Sequence, residues 1–348
     1  MKKIFSVLLL ILMVTTGLCA CACHNRKQSQ SDFEIIPTMD TKSDAKNVVW
    51  VGTFQLVWND LIDELIKSPV KFVGGQPDMA DALNKKSFGA EDLDEGSYYK
   101  KFGYATFQVK REIEKAIKDK FNEKSDILGS FNWSENSKEY ILYAMLKKDF
   151  EYIKPLDELE DDVFYGSKST VKYFGIDRNS ERALKYTVGV LFYNNENDFA
   201  ITLRSKQGDT VYFYRTDDAK TLDKLYDDMI QKSYKYMGLR SFGNKDQLKI
   251  PMLDFKKERS FDELCNKPIK NTDFVINKAI ETIQFKMDEK GVKLKSEAGI
   301  LVGATAIPSD RDVPRHFFFN NRYVIFLQEK SKPYFAMKIE DVKPLQKK

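Results

Sequence analysis

Between Leu184 and Phe213 the apolar side chains fall on every second residue. Leu184, Tyr186, Val188, Val190 and Phe192 alternate, and Asn194-Asn195-Glu196-Asn197 turns the chain. Phe199, Ile201 and Leu203 alternate back, and Lys206-Gln207-Gly208-Asp209 leads into Val211 and Phe213. A period of two puts one face of each segment on a core and the other toward solvent. Three such segments joined by polar turn clusters predict an antiparallel meander, which excludes an all-helical fold. The aromatic content agrees, since 25 Phe and 17 Tyr in 348 residues favour strands.

Upstream the period is helical. Phe54, Val57, Trp58, Leu61, Ile62 and Leu65 follow the spacing of one helix face, with Thr53 suited to the N-cap and Ser68-Pro69 to the end. A second amphipathic helix is predicted from 106 to 122 on Val109, Ile113, Ile117 and Phe121. A third is predicted from 220 to 237 on Leu222, Leu225, Tyr226, Met229 and Ile230. Tyr140 to Leu146 is apolar on both faces, the pattern of a buried central strand. Leu248, Ile250 and Met252 predict a strand near a sheet edge, because Pro251 has no N–H to donate. Further strands are expected at 284–287, 318–328 and 334–339. The fold class expected is α+β: one domain of antiparallel and mixed sheets with N-terminal and peripheral helices.

The chemistry-bearing residues are few. His24 and His316 are the only histidines, and Cys19, Cys21, Cys23 and Cys265 the only cysteines. That scarcity argues against metal centres, Cys–His pairs and Ser–His–Asp triads, so neither an enzyme nor a cofactor or metal is expected. Asp161-Asp162 and Asp227-Asp228 are neighbours in sequence, whose side chains point apart on a strand or helix. His316 beside Phe317-Phe318-Phe319 reads as a strand-edge residue, and Cys265 as a small buried apolar one. The net charge is +4, from 56 Lys+Arg against 52 Asp+Glu, with both signs interspersed, so no nucleic-acid partner is expected.

The first 46 residues read differently. Lys2-Lys3 precede an apolar run from Ile4 to Val14, followed by Thr15, Thr16 and Gly17, the order of a secretory signal. The run is shorter than the ~20 apolar residues of a membrane span. Leu18-Cys19-Ala20-Cys21 resembles a bacterial lipobox, which makes Cys21 the expected lipidation site, with Cys23 as a second candidate. The expected organisation is a signal peptide over 1–20, a lipidated flexible tether over 21–46 and a folded domain over 47–348. The localisation expected is extracytoplasmic, membrane-anchored at the cell surface or in the periplasm.

A long connection from Gly291 to His316 separates two late strands, and connections of that length in compact domains are often functional. The sequences around it carry a family resemblance. Phe285-Lys286-Met287-Asp288-Glu289-Lys290-Gly291 resembles the strand and turn that open the reactive-centre loop of serpins. Phe319-Asn320-Asn321-Arg322-Tyr323-Val324-Ile325-Phe326-Leu327 is similar to a worn serpin signature. It keeps the polar start and apolar finish but lacks the basic-Pro-Phe centre at Asn321, Arg322 and Tyr323. Lys332-Pro333-Tyr334-Phe335-Ala336-Met337-Lys338-Ile339 is similar to the closing serpin strand, with Met337 in place of a characteristic Gly. Ile141 to Lys148 and Leu248-Lys249-Ile250-Pro251 resemble two further serpin strands. The likeness is good over 245–342 and diffuse over 100–240, and the body is shorter than the family's usual domain.

The resemblance implies inhibition of a protease, of the serine or cysteine class, by a suicide-substrate route. The protease cuts the exposed loop, the loop's N-terminal part inserts as a strand in the main sheet, and the acylated protease is carried away distorted. Strand insertion needs alternate side chains that fit a core. Gly291, Val292, Leu294, Ser296 and Ala298 form the hinge, with Ile300 and Val302 continuing the inward set and Lys293, Lys295, Glu297 and Gly299 facing out. The family's hinge is a run of small residues, so Leu294, Lys293 and Lys295 imply slow insertion. The cut is expected within Ala304, Thr305, Ala306, Ile307, Pro308 and Ser309. Counting from Gly291 places it near Thr305-Ala306, and counting back from Phe319 places it near Pro308-Ser309. A small apolar residue there would suit elastase-like or subtilisin-like proteases, whereas Arg311 or Arg315 would suit trypsin-like ones. A monomer is expected. The alternative is a non-inhibitory serpin-like protein, or an unrelated α+β surface lipoprotein, acting as a binding module.

Overall fold

The largest sheet grows from the meander. β8 (Val188–Asn195), β9 (Asp198–Arg204) and β10 (Thr210–Arg215) run antiparallel in chain order. β10 pairs with β16 (Tyr323–Gln328), β16 with β17 (Pro333–Ile339) and β17 with β2 (Asn47–Val51), all antiparallel; β1 (Phe33–Ile35) adds to β2 in parallel. Every residue of β17 and the first five of β16 are buried, which explains why both read as continuous apolar runs. This computed structural model describes residues 32–294 and 313–347.

Two smaller sheets flank it. One has the order β15 (His316–Phe318), β11 (Gln247–Pro251), β7 (Ser169–Ile176) and β6 (Asp157–Phe164). The other has the order β12 (Leu253–Ser260), β13 (Ile280–Met287), β14 (Gly291–Leu294) and β5 (Lys148–Glu151). β5 is preceded, across Lys147, by β4 (Tyr140–Leu146), which pairs with β3 (Tyr98–Tyr104). Both faces of β4 are covered. Ile141, Tyr143 and Met145 pack into a small core with α3 (Phe107–Phe121), while Leu146, Leu142 and Ala144 join the main core. Behind β4 lies α1 (Thr53–Asp60), continued by a π-helical turn over Leu61–Ile66. α2 (Asp78–Leu83) and α4 (Leu222–Lys235) complete the α-helices among the described residues. Multiple sheets with peripheral helices make this an α+β fold.

α3 shows how local signals set an element. The Thr106 hydroxyl accepts from the Val109 N–H, Ile113, Ile117 and Phe121 are buried four residues apart, and Asn122 closes the helix in the left-handed region at φ 54°.

Several expectations are corrected. Gly52, not Thr53, caps α1, in helical φ/ψ and without a side-chain cap bond. Leu184 and Tyr186 lie in a 3₁₀ segment (Arg182–Thr187), because the ladder to β9 begins only at Val188. β11 is an interior strand. Pro251 is tolerated because β15 pairs only with Gln247–Lys249 and ends before it. The 318–328 strand is two, β15 and β16, broken at Phe319–Arg322. β4 is apolar on both faces yet hydrogen-bonds to β3 alone among the described strands. The packed body also starts before residue 47: Phe33–Ile35 is a strand, Ile35, Ile36 and Ala45 are buried, and the Arg259 guanidinium donates to Glu34 at 2.8 Å.

Candidate functional site

β14 opens the 291–316 connection, and the sheet already holds it. A tight turn reverses the chain after β13: the Asp288 N–H donates to the Gly291 carbonyl and the Lys290 N–H to the Asp288 carboxylate, both at 3.1 Å. β14 then runs antiparallel between β13 and β5. Val292 lies opposite Met287 and Phe150, and Leu294 opposite Phe285 and Lys148. Val292 and Leu294 are buried, and the Lys293 side chain is exposed with its ammonium 3.8 Å from Asp149. Burial therefore alternates along β14 as far as Leu294. Gly291 is required here, since a Cβ on it would sit 2.1 Å from the Phe150 carbonyl oxygen.

Beyond Leu294 the two flanking strands continue and nothing described fills the space between them. β13 runs back to Ile280, but its ladder with β14 covers only Phe285–Met287. On the other side β4 has no described partner except β3. A cavity of about 630 Å³ lies here, lined by Val57 and Trp58 from α1, Leu61 from the π-helical turn, Leu142 and Ala144 from β4, and Thr282 from β13. Among the described residues the facing edges of β4 and β13 have no ladder partner along this stretch, and the cavity between them is lined by apolar and polar side chains alike.

Two charged features bracket the gap. At its upper end Lys148 of β5 is fully buried, with Nζ 2.7 Å from Asp209 Oδ1 and 3.7 Å from Glu329 Oε2. The same ammonium lies over the Tyr334 ring at 4.9 Å, and the Tyr334 hydroxyl donates to Asp209 Oδ1 at 2.8 Å. Burial raises the carboxyls of Asp209 and Glu329, and the Lys148 charge offsets part of that rise. Lower down, Glu281 of β13 lines the cavity and is buried. Burial pushes its carboxyl up to about 8, opposed by the Thr53 hydroxyl and Phe54 N–H at the start of α1 and by Arg259.

Of the other residues singled out from sequence, Ser296, Ala298, Ile300, Val302, Arg311, the six from Ala304 to Ser309 and Cys21 lie outside the described residues. Arg315 is buried and engaged, donating from Nε and Nη2 to Asp246 at 3.0 and 2.5 Å and to the Leu239 and Ser241 carbonyls. It anchors the return of the chain into β15. His316 stands half-buried on the edge strand β15, 3.2 Å from Glu196. Cys265 is buried. Asp162 is tied to Lys249 while Asp161 is exposed, and Asp228 accepts from Tyr214 at 2.6 Å while Asp227 is exposed. Neither pair forms a shared acid site. Among the described residues no cluster of three or more His, Cys, Asp or Glu could hold a metal ion, and no helix is long and apolar enough to cross a membrane.

Sequence reasoning passed over Lys148, Asp209, Glu329 and Glu281. Glu281 carried a legible signal, being a charged residue in phase with the inward Ile283, Phe285 and Met287. The Lys148 cluster joins residues from three distant segments and had none.

No family model matches the chain, and no curated protein matches it in sequence. Among solved structures the chain is similar to Serpin48, described as a highly specific serpin of the insect Tenebrio molitor. The TM-score is 0.44 at 11% identity, over 83% of this chain and 95% of that one. It is also similar to thyroxine-binding globulin in complex with thyroxine, with a TM-score of 0.42 at 12% identity, over 69% of this chain and 65% of that one.

Proposed function

We propose that this chain is a serpin-like protein whose 291–316 loop is bait for a protease and, once cut, enters the gap between β13 and β4 as a new strand. The observation that carries this reading is the seat of β14. The first four residues of the loop already lie between two strands, and the chain leaves Leu294 where the open gap begins. If the strand runs on in the same register, Ser296 falls between Ile283 and Leu146, and Ala298 between Glu281 and Ala144. Ile300 then falls between Ala279 and Leu142. These are the inward positions of the hinge and the inward faces of both neighbours. Leu294, bulky for such a hinge, is already seated and so is no barrier to insertion of the rest. Lys295 is the next residue to move.

The partner under this reading is a protease of the serine or cysteine class, cutting within 304–309. The test is incubation with elastase-like, subtilisin-like and trypsin-like proteases followed by denaturing electrophoresis. A covalent complex alongside a small C-terminal fragment of about 40 residues supports inhibition. Clean cleavage with no complex from any of them leaves a serpin-like binding module instead. By the same reading the chain is exported, lipidated at Cys21 and held as a monomer on the outer side of a membrane. Expression with its leader in a bacterium tests this. Wild type should partition with membranes and Cys21→Ala should not, whereas a soluble wild type with an unmodified N-terminus rejects the anchor.

A further inference from the structure

The loop between β1 and β2, the start of α4 and the end of β17 line a second cavity, of about 340 Å³. Four lysines line it against one carboxylate. Lys42 comes from the loop, Lys220 from just before α4, Lys224 from the first turn of α4 and Lys338 from β17, and the carboxylate is Asp44 of the loop. The four ammonium groups are not equivalent. Lys220 is bound to Asp218 at 2.7 Å and to Asp228 at 3.3 Å. Lys338 is buried beside Val48 in the β17–β2 ladder, 3.1 Å from Glu340, whose carboxylate also binds Arg322 at 2.5 Å. Lys42 and Lys224 are exposed, and neither has an ion-pair partner among the described residues. The wall also holds a hydroxyl without a use. Thr221 stands at the N-cap of α4 but makes no side-chain cap bond, and its Oγ1 is buried with no hydrogen-bond partner among the described residues. The Asp223 N–H, which such a cap can take, goes to the Met39 carbonyl at 3.2 Å instead.

We propose that this cavity binds a phosphate-bearing anion, held between Lys42 and Lys224 at the start of α4. The reading is independent of loop insertion. Ammonium groups gathered in one concavity repel one another, and the chain neutralises only two of the four with carboxylates of its own. A compact dianion supplies what is missing. Its several acceptor oxygens suit point-like ammonium charges and a free hydroxyl, and the positive end of the 14-residue α4 adds to the attraction. About 340 Å³ admits the phosphate together with a small organic body, for which Val48 and Leu222 give an apolar stretch of wall. Asp44 works in the opposite direction, so its charge sets an upper limit on the affinity.

The experiment is calorimetric titration of the full chain with inorganic phosphate, at an ionic strength held constant with chloride. Wild type should bind. Lys42→Ala and Lys224→Ala should each weaken binding by roughly tenfold, and Asp44→Asn should tighten it. All three side chains are exposed, so the variants should keep the wild-type melting temperature in chloride. A second arm separates the sources of the phosphate. Co-sedimentation with phosphatidylcholine vesicles is compared with and without phosphatidic acid. Extra binding to phosphatidic acid that the two lysine variants lose, with little binding of inorganic phosphate, assigns the site to a lipid headgroup. Binding of inorganic phosphate with no preference between the vesicles assigns it to a soluble phosphate compound. No binding in either arm, or binding that Lys42→Ala and Lys224→Ala leave unchanged, overturns the proposal.

Discussion

The seven-stranded sheet and the sheet built on β13 differ in how far their central strands are paired among the described residues. In the first, β16 and β17 have neighbours on both sides, and β17 is buried along its whole length. In the second, among the described residues, β13 is paired on both sides only from Phe285 to Met287, and below that it and β4 line a common cavity. The chain can therefore close a sheet where its residues allow it. The gap is confined to the place where a segment of the same chain, 295–302, continues directly from β14. Under the insertion reading, a further strand there would pair backbone that has no ladder partner among the described residues.

The largest expected effect comes from filling that half. If Ser296, Ala298, Ile300 and Val302 enter after a cut in the loop, two large apolar side chains gain roughly 1–3 kcal/mol each and new ladder bonds add to it. With ~1 kcal/mol shifting the melting temperature by about 2–4 °C, the cut chain should melt about ten degrees or more above the intact one. Scanning calorimetry reads this directly, and equal melting temperatures would mean that the two sheets do not differ in this way.

The next effect lies at the closed end of the gap. Lys148→Met should cost about 3–5 kcal/mol in denaturant unfolding, because it leaves Asp209 and Glu329 buried together without their cation. A variant as stable as wild type would show that the cluster does not anchor β5. Leu294→Ala should cost about 2–5 kcal/mol if β14 is seated between β13 and β5, whereas exposed Lys293→Ala should change stability by less than about 0.5 kcal/mol. Equal effects of the two would dissolve the contrast between the seated and open halves.

The smallest effect per step is on pH. The folded chain holds a proton on Glu281 up to about pH 8 that the unfolded chain has lost by about 4.5. That stabilisation is fully present below about pH 4.5 and is lost as pH rises through 8, at up to roughly 1.4 kcal/mol per unit. Glu281→Gln should remove this component of the slope between pH 5 and 8 in urea unfolding. An unchanged slope would mean that Glu281 is hydrated or paired.

How much of this was legible in the sequence depends on the range of the signal. α3, α4 and the β8–β10 meander were read from periodicity, because each is settled by one apolar face of its own, and β17 from its continuous apolar run. β1, β2, β3, β6, β7 and β12 were not. β6 and β12 are rich in exposed charge, as in Asp157–Asp162 and Lys256–Arg259, and are strands only because neighbours complete their ladders. The start of the 291–316 connection was legible as an alternation, Val292 and Leu294 against Lys293. That the sheet already holds it was not, since this depends on a turn at Asp288–Lys290 and on Gly291 fitting against Phe150. Arg315 was named beside Arg311 as suiting a trypsin-like protease because nothing local shows its pairing with Asp246.

Whether the gap between β4 and β13 receives the chain's own segment 295–302 is tested most directly by hydrogen exchange. The backbone amides of Leu142–Leu146 and Ile280–Gln284 are followed in intact and loop-cleaved protein under the same conditions. Those that point into the gap should exchange readily before cleavage and become strongly protected after it, while those paired with β3 and β12 stay protected throughout. Identical exchange before and after a clean cut would contradict insertion.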